Sequence, residues 1–287
     1  MKLSTVKQSV RYPELYVHKY TNKVFYKNLW DEELVELRGK VCLEDGTVVV
    51  NPFTKIFNRK ENDTNLPLDE PCIVVEKVNG FMAAATYVKE VGEVVVSTTG
   101  SLDSPFAQLA EKYVTKDIKD LIKAKWVGYT LLFEVCDPNN KHIVYEVPGL
   151  YLIGIRAVAD ASQYFSDAYR EKMLDGLAKT LGVMRPKWEL STFVDVVRAN
   201  RVTQREGVVV YGQQSVKVLK LKSPYYIALK AAARVKDISK LDKSRVAEEF
   251  YPLIDNIRVN AALFTTLDEQ SRLHYMKNYI KEYYNDI

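Results

Sequence analysis

The chain has 287 residues, 47% of them hydrophobic, and a formal net charge of +4 at pH 7. This length can bury one large core, or one core and a small appendage. No run of 18 apolar residues and no apolar signal core occurs, so a membrane-spanning helix is excluded and we expect a cytoplasmic protein. The mildly basic charge permits a nucleic-acid partner without requiring one.

The three cysteines, Cys42, Cys72 and Cys136, are widely spaced and lie in apolar surroundings. An odd number without short spacings predicts free, buried thiols in a reducing compartment. Neither a Cys-x-x-Cys nor a His-x-x-x-His pair is present, which argues against a structural zinc site.

The first half of the chain is rich in strand patterns. Short strands are expected within residues 1–28, where polar and aromatic positions alternate. Residues 31–37, with acids in the first turn, predict a short helix. Residues 38–50 predict a hairpin closed by the turn dipeptide Asp45-Gly46. An antiparallel meander is predicted next, with strands over 72–77, 81–89 and 93–99.

The second half alternates strands with helices and then becomes helical. Helices are predicted over 104–125, 162–182 and 192–200. Turns and strands are predicted over 127–135, 142–147, 150–158, 205–211 and 216–221. From Pro224 onward the hydrophobic period is helical. The predicted fold class is therefore α+β, with a strand-rich domain over 1–230 and a small helical C-terminal domain over 231–287.

Lys77 lies between an apolar run that begins at Cys72 and a turn that is closed by Gly80. A lysine that is desolvated or placed near other cations can act as a nucleophile at neutral pH. A glycine lets the backbone approach a phosphate without a Cβ in the way. The Lys-x-x-Gly spacing is weak support by itself, since about one such match is expected by chance at average glycine usage.

Other short motifs occur in order along the chain. They are Arg38-Gly39, Lys55-x-Phe57, Glu76-Lys77-x-x-Gly80, Thr99-Gly100-Ser101, Phe133-Glu134, Arg156, Glu206-Gly207 and Lys220-x-Lys222, followed by Ser223-Pro224-Tyr225-Tyr226. Together they resemble the covalent nucleotidyltransferases, the superfamily of polynucleotide ligases and capping enzymes. Within it the set is most similar to the RNA ligase family typified by the tRNA-repair ligase of T-even phages. The resemblance covers about residues 35–230.

The resemblance implies an antiparallel-sheet nucleotidyltransferase domain, similar to an ATP-grasp ligase, and a three-step reaction. Lys77 attacks the α-phosphorus of ATP and releases pyrophosphate. The AMP then passes to the 5′-phosphate of an RNA, and a 3′-hydroxyl displaces it. Each displacement depends on positioning and on neutralisation of phosphate charge.

Cations in the motifs are candidates for neutralising that charge. By the resemblance, Arg38, Lys55 and Arg156 contact the triphosphate. Lys220 and Lys222 are two residues apart on a predicted strand and so point to the same face. There they can grip the α-phosphate, and by like-charge repulsion they are expected to lower the pKa of Lys77.

The remaining motif residues imply metal and nucleotide contacts. By the resemblance, Glu206 and Glu134 hold Mg²⁺ or Mn²⁺, and Glu134 is also a candidate for the ATP ribose. Glu76, Gly80, Phe57 and Tyr226 are candidate nucleotide contacts, with core packing an open alternative for the two aromatic residues.

Thr99 departs from the family, which often has a lysine before the Gly-Ser pair. Lys89 and Lys112 are candidates to replace that missing cation, although the sequence does not place them.

The sequence thus predicts a monomeric ATP-dependent RNA ligase for 5′-phosphate and 3′-hydroxyl ends. A DNA or mixed-substrate ligase and a non-catalytic RNA-end-binding module are the alternatives. The helical tail could present its lysines to RNA, but acids interleave with them. This pattern favours a packing element with a solvated face.

Overall fold

The computed structural model describes residues 2–140 and 142–284, and these form antiparallel sheets with helices around them. The strands are β1 (Ser4–Gln8), β2 (Tyr16–Tyr20), β3 (Arg38–Cys42), β4 (Val48–Val50), β5 (Pro71–Glu76), β6 (Phe81–Val88), β7 (Glu93–Thr98), β8 (Tyr129–Cys136), β9 (Gly149–Ala157), β10 (Trp188–Thr192), β11 (Gly207–Gly212) and β12 (Val218–Lys222). The helices are α1 (Asn22–Lys27), α2 (Pro105–Tyr113), α3 (Lys116–Lys125), α4 (Ala168–Leu181), α5 (Phe193–Val202), α6 (Pro224–Ala233), α7 (Tyr251–Val259), α8 (Ala261–Thr266) and α9 (Glu269–Tyr284). The predicted α+β class is confirmed.

The strands form three four-stranded sheets, ordered β1-β2-β3-β4, β10-β5-β11-β12 and β7-β6-β8-β9. The predicted hairpin of β3 and β4 is present. The predicted meander is wrong at its first strand, because β5 pairs with β10 and β11 and not with β6. β5 is a central strand with buried residues on both faces, and such a strand reads as a continuous apolar run in any sheet.

One predicted strand is absent from the structure, and one strand in the structure was not predicted. Residues 142–147 contain no strand in the described part of the chain. Their apolar pattern arises because Ile143 and Val144 pack among the C-terminal helices. Strand β10 was not predicted, since it is an edge strand with Leu190 exposed and shows no clear alternation.

Three predicted helices have different bounds. The segment 104–125 forms two helices, because Thr115 accepts a hydrogen bond from the Ile118 backbone and caps a new helix at that point. The segment 31–37 contains only a 3-10 turn, Leu34–Glu36. Helix α4 begins after the cap Asp167, later than predicted, and ends at Gly182 with a φ of 67°. No helix within the described residues is both long and apolar enough to cross a bilayer.

The buried side chains form separate clusters that match this architecture. One lies between the sheets and includes Leu15, Ile73 and Leu132. A second lies between the β7-β6-β8-β9 sheet and helices α2 to α4. Cys42, Cys72 and Cys136 are free and buried, as predicted.

A third cluster joins α6 to the helices that follow it. The predicted domain boundary at residue 230 falls inside α6, whose buried residues from Tyr225 to Ala233 belong to this C-terminal cluster. We therefore propose that the small helical domain begins at Pro224.

Candidate active site

A cavity of about 100 Å³ lies between the sheet that contains β5 and the sheet that contains β6. Its apolar lining consists of Phe53, Ile56, Val75, Val78, Met82, Ile153, Val209 and Tyr211. Its charged lining consists of Arg38, Glu76, Lys77, Glu134 and Lys220. Such a cavity can take an apolar ring on one side and a charged group on the other.

Strand register places these side chains. Val209 of β11 is paired with Val75 of β5 and with Lys220 of β12. In the facing sheet Met82 of β6 is paired with Glu134 of β8. Directly paired residues project to the same face of a sheet, so each sheet presents one row of side chains to the cavity.

Lys77 follows β5 directly, and its backbone N–H donates to the Gly207 carbonyl at 2.9 Å. Its Nζ atom lies 3.0 Å from Oε1 of Glu206, whose side chain is only 3% exposed. Burial lowers the pKa of Lys77, but the carboxylates of Glu206 and Glu134 outweigh it, and the net shift is upward. An upward shift from about 10.4 keeps Lys77 in its ammonium form at neutral pH.

The predicted repulsion between Lys77 and the strand lysines is present, because the charge of Lys77 lowers the pKa of both Lys220 and Lys222. At Lys77 itself, however, the net shift is upward and not downward as predicted. The two strand lysines are present as expected, but the Glu206 carboxylate in direct contact dominates the local field. The strand lysines instead have lowered pKa values themselves.

Asn79 connects the site to its surroundings and was not singled out from the sequence. Its amide donates to Oε2 of Glu206 at 2.7 Å, and its carbonyl oxygen accepts from the Val144 backbone at 3.0 Å. Its backbone N–H donates to Oε1 of Glu146 at 3.1 Å. Its position in the turn after Lys77 was the available signal. Asn79 thus fixes the orientation of Glu206.

Glu134 of β8 contacts the turn that contains Gly80. The Gly80 N–H donates to Oε1 of Glu134 at 3.0 Å. Burial raises the pKa of Glu134, and the Glu206 carboxylate adds to this effect. A Cβ at position 80 would lie 2.3 Å from the Val135 carbonyl oxygen. The structure therefore requires glycine here for close packing against β8, and a phosphate contact remains a prediction.

Cations surround the cavity on the side of β12. Lys220 has a pKa well below its usual range, because of burial first and then the charges of Lys55, Arg38, Lys77 and Lys222. For Lys222, burial and neighbouring cations lower the pKa to about 8. Such a concentration of positive charge in a partly buried place favours binding of a polyanion.

Lys55 and Phe57 form a separate aromatic cluster beside the cavity. The Lys55 Nζ lies 4.7 Å from the Phe57 ring centre and 5.2 Å from that of Trp30, and 3.7 Å from Oε1 of Glu61. Phe57 packs edge-on against Trp30 and does not line the cavity. Its carbonyl accepts from the Lys220 N–H at 2.8 Å, so this cluster anchors β12.

Glu76 directly precedes Lys77 at the end of β5, and Tyr226 lies in α6. Glu76 lines the cavity and pairs with Arg205 at 2.8 Å. Tyr226 is buried, with the Nζ of Lys222 5.4 Å from its ring centre. Nucleotide contacts by either residue remain predictions.

The surroundings of Arg156 contradict the prediction that this residue contacts the triphosphate. Its side chain is 0% exposed. Its guanidinium donates to Glu36 at 3.0 Å, to the Pro52 carbonyl at 2.6 Å and to the Ser162 carbonyl at 2.5 Å. It does not line the cavity. A guanidinium enclosed in this way holds three chain segments together and is not available to a ligand.

We expect Arg156→Ala to destabilise the protein by roughly 3–5 kcal/mol, because it leaves Glu36 and two carbonyls without their buried partner. Thermal unfolding with and without saturating ATP would measure this effect. Loss of ATP binding without a lower melting temperature would contradict the assignment. Arg59→Ala is a suitable control, because that guanidinium bonds Asn65 near the surface.

The Thr99-Gly100-Ser101 turn has a cation beside it after all. The Nζ of Lys19, on β2, lies 3.2 Å from the place where a Cβ of residue 100 would be. Lys19 is also paired in register with Arg38 of β3. Lys89 and Lys112 were the predicted candidates, and Lys19 was missed because only strand pairing brings it to this turn.

The residues present fit a divalent cation bound mainly through phosphates. Burial first, and then the charge of Glu206, raises the pKa of Glu134. Among the described residues no group of three or more acidic, histidine or cysteine side chains is poised to hold a metal. Glu206 and Glu134 could supply two carboxylates to a divalent cation, with substrate phosphates and water as its other ligands.

Solved structures share this architecture. An archaeal ATP-dependent RNA ligase gives a TM-score of 0.58 at 15% identity, over 98% of this chain and 77% of that chain. A putative ATP-dependent DNA ligase from Aquifex aeolicus gives 0.56 at 15% identity, over 96% of this chain and 73% of that one. The described residues therefore share the fold of these ATP-dependent ligases.

Comparison of the sequence with known protein families identifies the family to which the chain belongs. The family model described as RNA ligase matches residues 36–226. RNA ligase 1 of bacteriophage TS2126 is 35% identical over 144 residues, which are 44% of this chain and 35% of that protein. The chain thus matches about a third of the length of this relative. It belongs to the RNA ligase family.

Proposed function

We propose that this protein is an ATP-dependent RNA ligase that joins 5′-phosphate and 3′-hydroxyl ends. One observation carries the proposal. Lys77 lies at a largely apolar cavity, in contact with Glu206 and beside Glu134, Arg38 and Lys220. Family membership and the ATP-dependent ligases of the same fold support the choice of ATP and RNA.

In the first step, the Lys77 amine attacks the α-phosphorus of ATP. A P–N bond forms, the bond to pyrophosphate breaks, and Lys77 carries AMP. The ammonium must first lose a proton to solvent, and the Glu206 carboxylate 3.0 Å away orients the Lys77 side chain. Arg38 and Lys220 at the cavity would stabilise the charge on the phosphates and the leaving pyrophosphate. Glu206 and Glu134 would hold Mg²⁺ or Mn²⁺, which neutralises phosphate charge when bound.

In the second step, an oxygen of the RNA 5′-phosphate attacks the lysyl-AMP and the lysine leaves. In the third, a 3′-hydroxyl attacks that activated phosphate and AMP leaves. Both steps are displacements at phosphorus, so the cations that serve the first step can serve these as well. The apolar walls of the cavity would hold the adenine throughout.

A DNA or mixed-substrate ligase is the principal alternative, since a putative DNA ligase shares the fold at nearly the same TM-score. A module that only binds RNA ends is less well supported. The side chains that a reaction would require are assembled here: Lys77, Glu206, Asn79 and Lys220.

We also propose that the protein acts as a monomer in the cytoplasm, which light scattering and cell fractionation would test.

Sealing assays with matched single strands would test the proposed activity. RNA and DNA of one sequence, each with a 5′-phosphate and a 3′-hydroxyl, are incubated with ATP and Mg²⁺, beside Lys77→Ala. We expect ATP-dependent sealing of RNA by the wild type only. Faster sealing of DNA would favour the alternative ligase, and tight binding of RNA ends without sealing would favour the binding module.

A further inference from the structure

A second cavity, of about 420 Å³, lies on the other face of the sheet that contains β5. Val75 and Val209, which are paired in register, line the smaller cavity of the candidate active site. Their chain neighbours Val74 and Val208 line the larger one, because successive side chains of a strand point to opposite faces. Glu76, at the end of β5, lines both. The two cavities thus lie on opposite faces of one sheet and meet at Glu76.

Helix α5 closes this second cavity with one of its faces. The lining residues Val196, Ala199, Asn200 and Thr203 recur at the spacing of a helical stripe. Asn200 is 6% exposed, and its amide donates to the Lys222 carbonyl at 3.1 Å. Its own carbonyl oxygen has no hydrogen-bond partner among the described residues. A buried acceptor without a partner is unfavourable, so a ligand that carries an N–H or O–H group would be favoured here.

The charged side chains at this cavity do not favour an anion. Two cations, Lys187 and Arg205, and three acids, Glu76, Glu189 and Asp195, line it. Arg205, whose side chain is 52% exposed, already pairs with Glu76 at 2.8 Å. There is therefore no excess of positive charge, and a phosphate or a nucleoside triphosphate gains little from this cavity. A neutral ligand with a polar edge fits it better.

The uncharged walls of the cavity match a flat ring. Val74 comes from the sheet and Val196 from the helix, and both are buried. Trp188 of β10 also lines the cavity, and its indole N–H donates to Asp175 at 2.9 Å. Aromatic side chains are the surfaces on which unpaired bases stack, and ligand sites usually have volumes of about 300–1,000 Å³. A nucleoside combines a flat ring with N–H and O–H groups, and so suits both these walls and Asn200.

We propose that this cavity binds an unpaired nucleoside of the RNA substrate, next to the end that reacts at Lys77. This inference rests on the proposed ligase function, which brings RNA to Lys77. Gly207 lines the cavity, and its carbonyl accepts from the Lys77 backbone N–H at 2.9 Å. An RNA end at Lys77 therefore has only the end of β5 to cross before the strand reaches the cavity. The base packs against the valines and Trp188, an N–H or O–H group donates to Asn200, and the phosphates stay outside.

Replacement of Ala199 by phenylalanine tests the proposal, because the added ring would fill the cavity from α5 and leave the active-site residues in place. RNA sealing is measured over a range of RNA concentrations, and lysyl-AMP formation is measured separately with α-labelled ATP. For Ala199→Phe we expect the KM for RNA to rise at least about ten-fold, which corresponds to the loss of one stacked base. Lysyl-AMP formation should stay within about two-fold of the wild type, because only RNA binding is affected.

Val202→Phe is the matched control. It adds an aromatic ring to the same helix, at a side chain that is 83% exposed and does not line the cavity. This variant should keep the wild-type KM for RNA.

Tryptophan fluorescence gives a readout that does not require turnover. A base that stacks near Trp188 should quench its emission, so RNA with a 5′-hydroxyl, added without ATP, should quench the wild type. The quenching should be lost in Ala199→Phe and in Trp188→Phe, which keeps Trp30 and Trp126. Adenosine and AMP are titrated in parallel, because they carry the same kind of ring. We expect them to bind at least about ten-fold more weakly than RNA, which makes further contacts along its strand.

Several outcomes would overturn the proposal. One is a KM for RNA that Ala199→Phe leaves unchanged, and another is quenching that persists in Trp188→Phe. AMP that quenches Trp188 at the same concentrations as RNA would identify a separate nucleotide site. An equal loss of lysyl-AMP formation and sealing in Ala199→Phe would show that the cavity supports the fold of the active site and does not bind RNA. A wild type that forms no lysyl-AMP would instead overturn the proposed ligase function, so the two failures are distinguishable.

Discussion

Arginine in place of Lys77 is expected to reduce lysyl-AMP formation by at least about 10³-fold, because the reaction loses its nucleophile. A guanidinium stays protonated at any working pH and has no lone pair for attack. It keeps the positive charge beside Glu206, so the fold and the cavity should be preserved. Sealing of ordinary RNA ends should be lost to the same extent.

The same variant should still seal RNA that carries AMP on its 5′-phosphate. In that last step the attacking group is the RNA 3′-hydroxyl, and Lys77 forms no bond. Gel analysis of pre-adenylylated RNA would measure it, with Lys89→Arg as an exposed control. Label from ATP on the Lys77→Arg protein would mean that another residue is the nucleophile.

Methionine in place of Lys220 should give a more stable but inactive protein. Lys220 is a largely buried cation whose neighbours Lys55, Arg38, Lys77 and Lys222 all repel it. A side chain of similar length without charge removes that repulsion, so the free energy of unfolding should rise by about 1 kcal/mol. Lysyl-AMP formation should fall by about 10²-fold or more, since a cation next to the reacting phosphate is lost.

The stabilisation should depend on pH in a defined direction. The pKa of Lys220 is lower in the folded protein than in the unfolded chain. At a pH below the pKa that Lys220 has in the folded protein, Lys220 is protonated in both the folded and the unfolded state. The full destabilisation by its charge is then present. As pH rises from the folded pKa toward about 10.4, the unfolded value, the folded state loses its proton first and wild-type stability recovers. The gain in free energy of unfolding from Lys220→Met should therefore be largest at low pH. It should shrink as pH rises from the folded to the unfolded pKa of Lys220.

Melting curves from neutral to alkaline pH would measure this, with Lys217→Met as the control. Lys217 precedes β12 and is exposed, so its replacement should change neither stability nor activity in this way. A variant at position 220 that is less stable than the wild type would show that Lys220 contributes to the fold and is not held there for a ligand.

Local patterns were enough to predict much of the architecture. The apolar run before Lys77, the Asp45-Gly46 turn and the spacing of Lys220 and Lys222 are contained within short segments. Each of these features appears in the structure as a strand, a hairpin or a strand face. The ordered motifs also indicated the family that the comparisons show.

Features that depend on distant parts of the chain could not be predicted in this way. Strand pairing alone brings Lys19 beside Gly100 and separates β5 from β6. Arg156 resembled a ligand contact, but Glu36 and the Pro52 carbonyl, both distant in sequence, enclose it together with the nearby Ser162 carbonyl. The pKa of Lys77 depends on which charge is in contact with it, and a sequence does not show that Glu206 is closer than the lysines.

Intact-mass analysis after incubation with ATP and Mg²⁺ tests the central claim most directly. The protein is first treated with pyrophosphate, so that any AMP carried over from expression is removed. We predict that the wild type then gains the mass of one AMP, that a peptide containing Lys77 carries it, and that Lys77→Ala gains nothing. A wild type that gains no mass after this treatment, or one that carries AMP on another residue, would contradict the account.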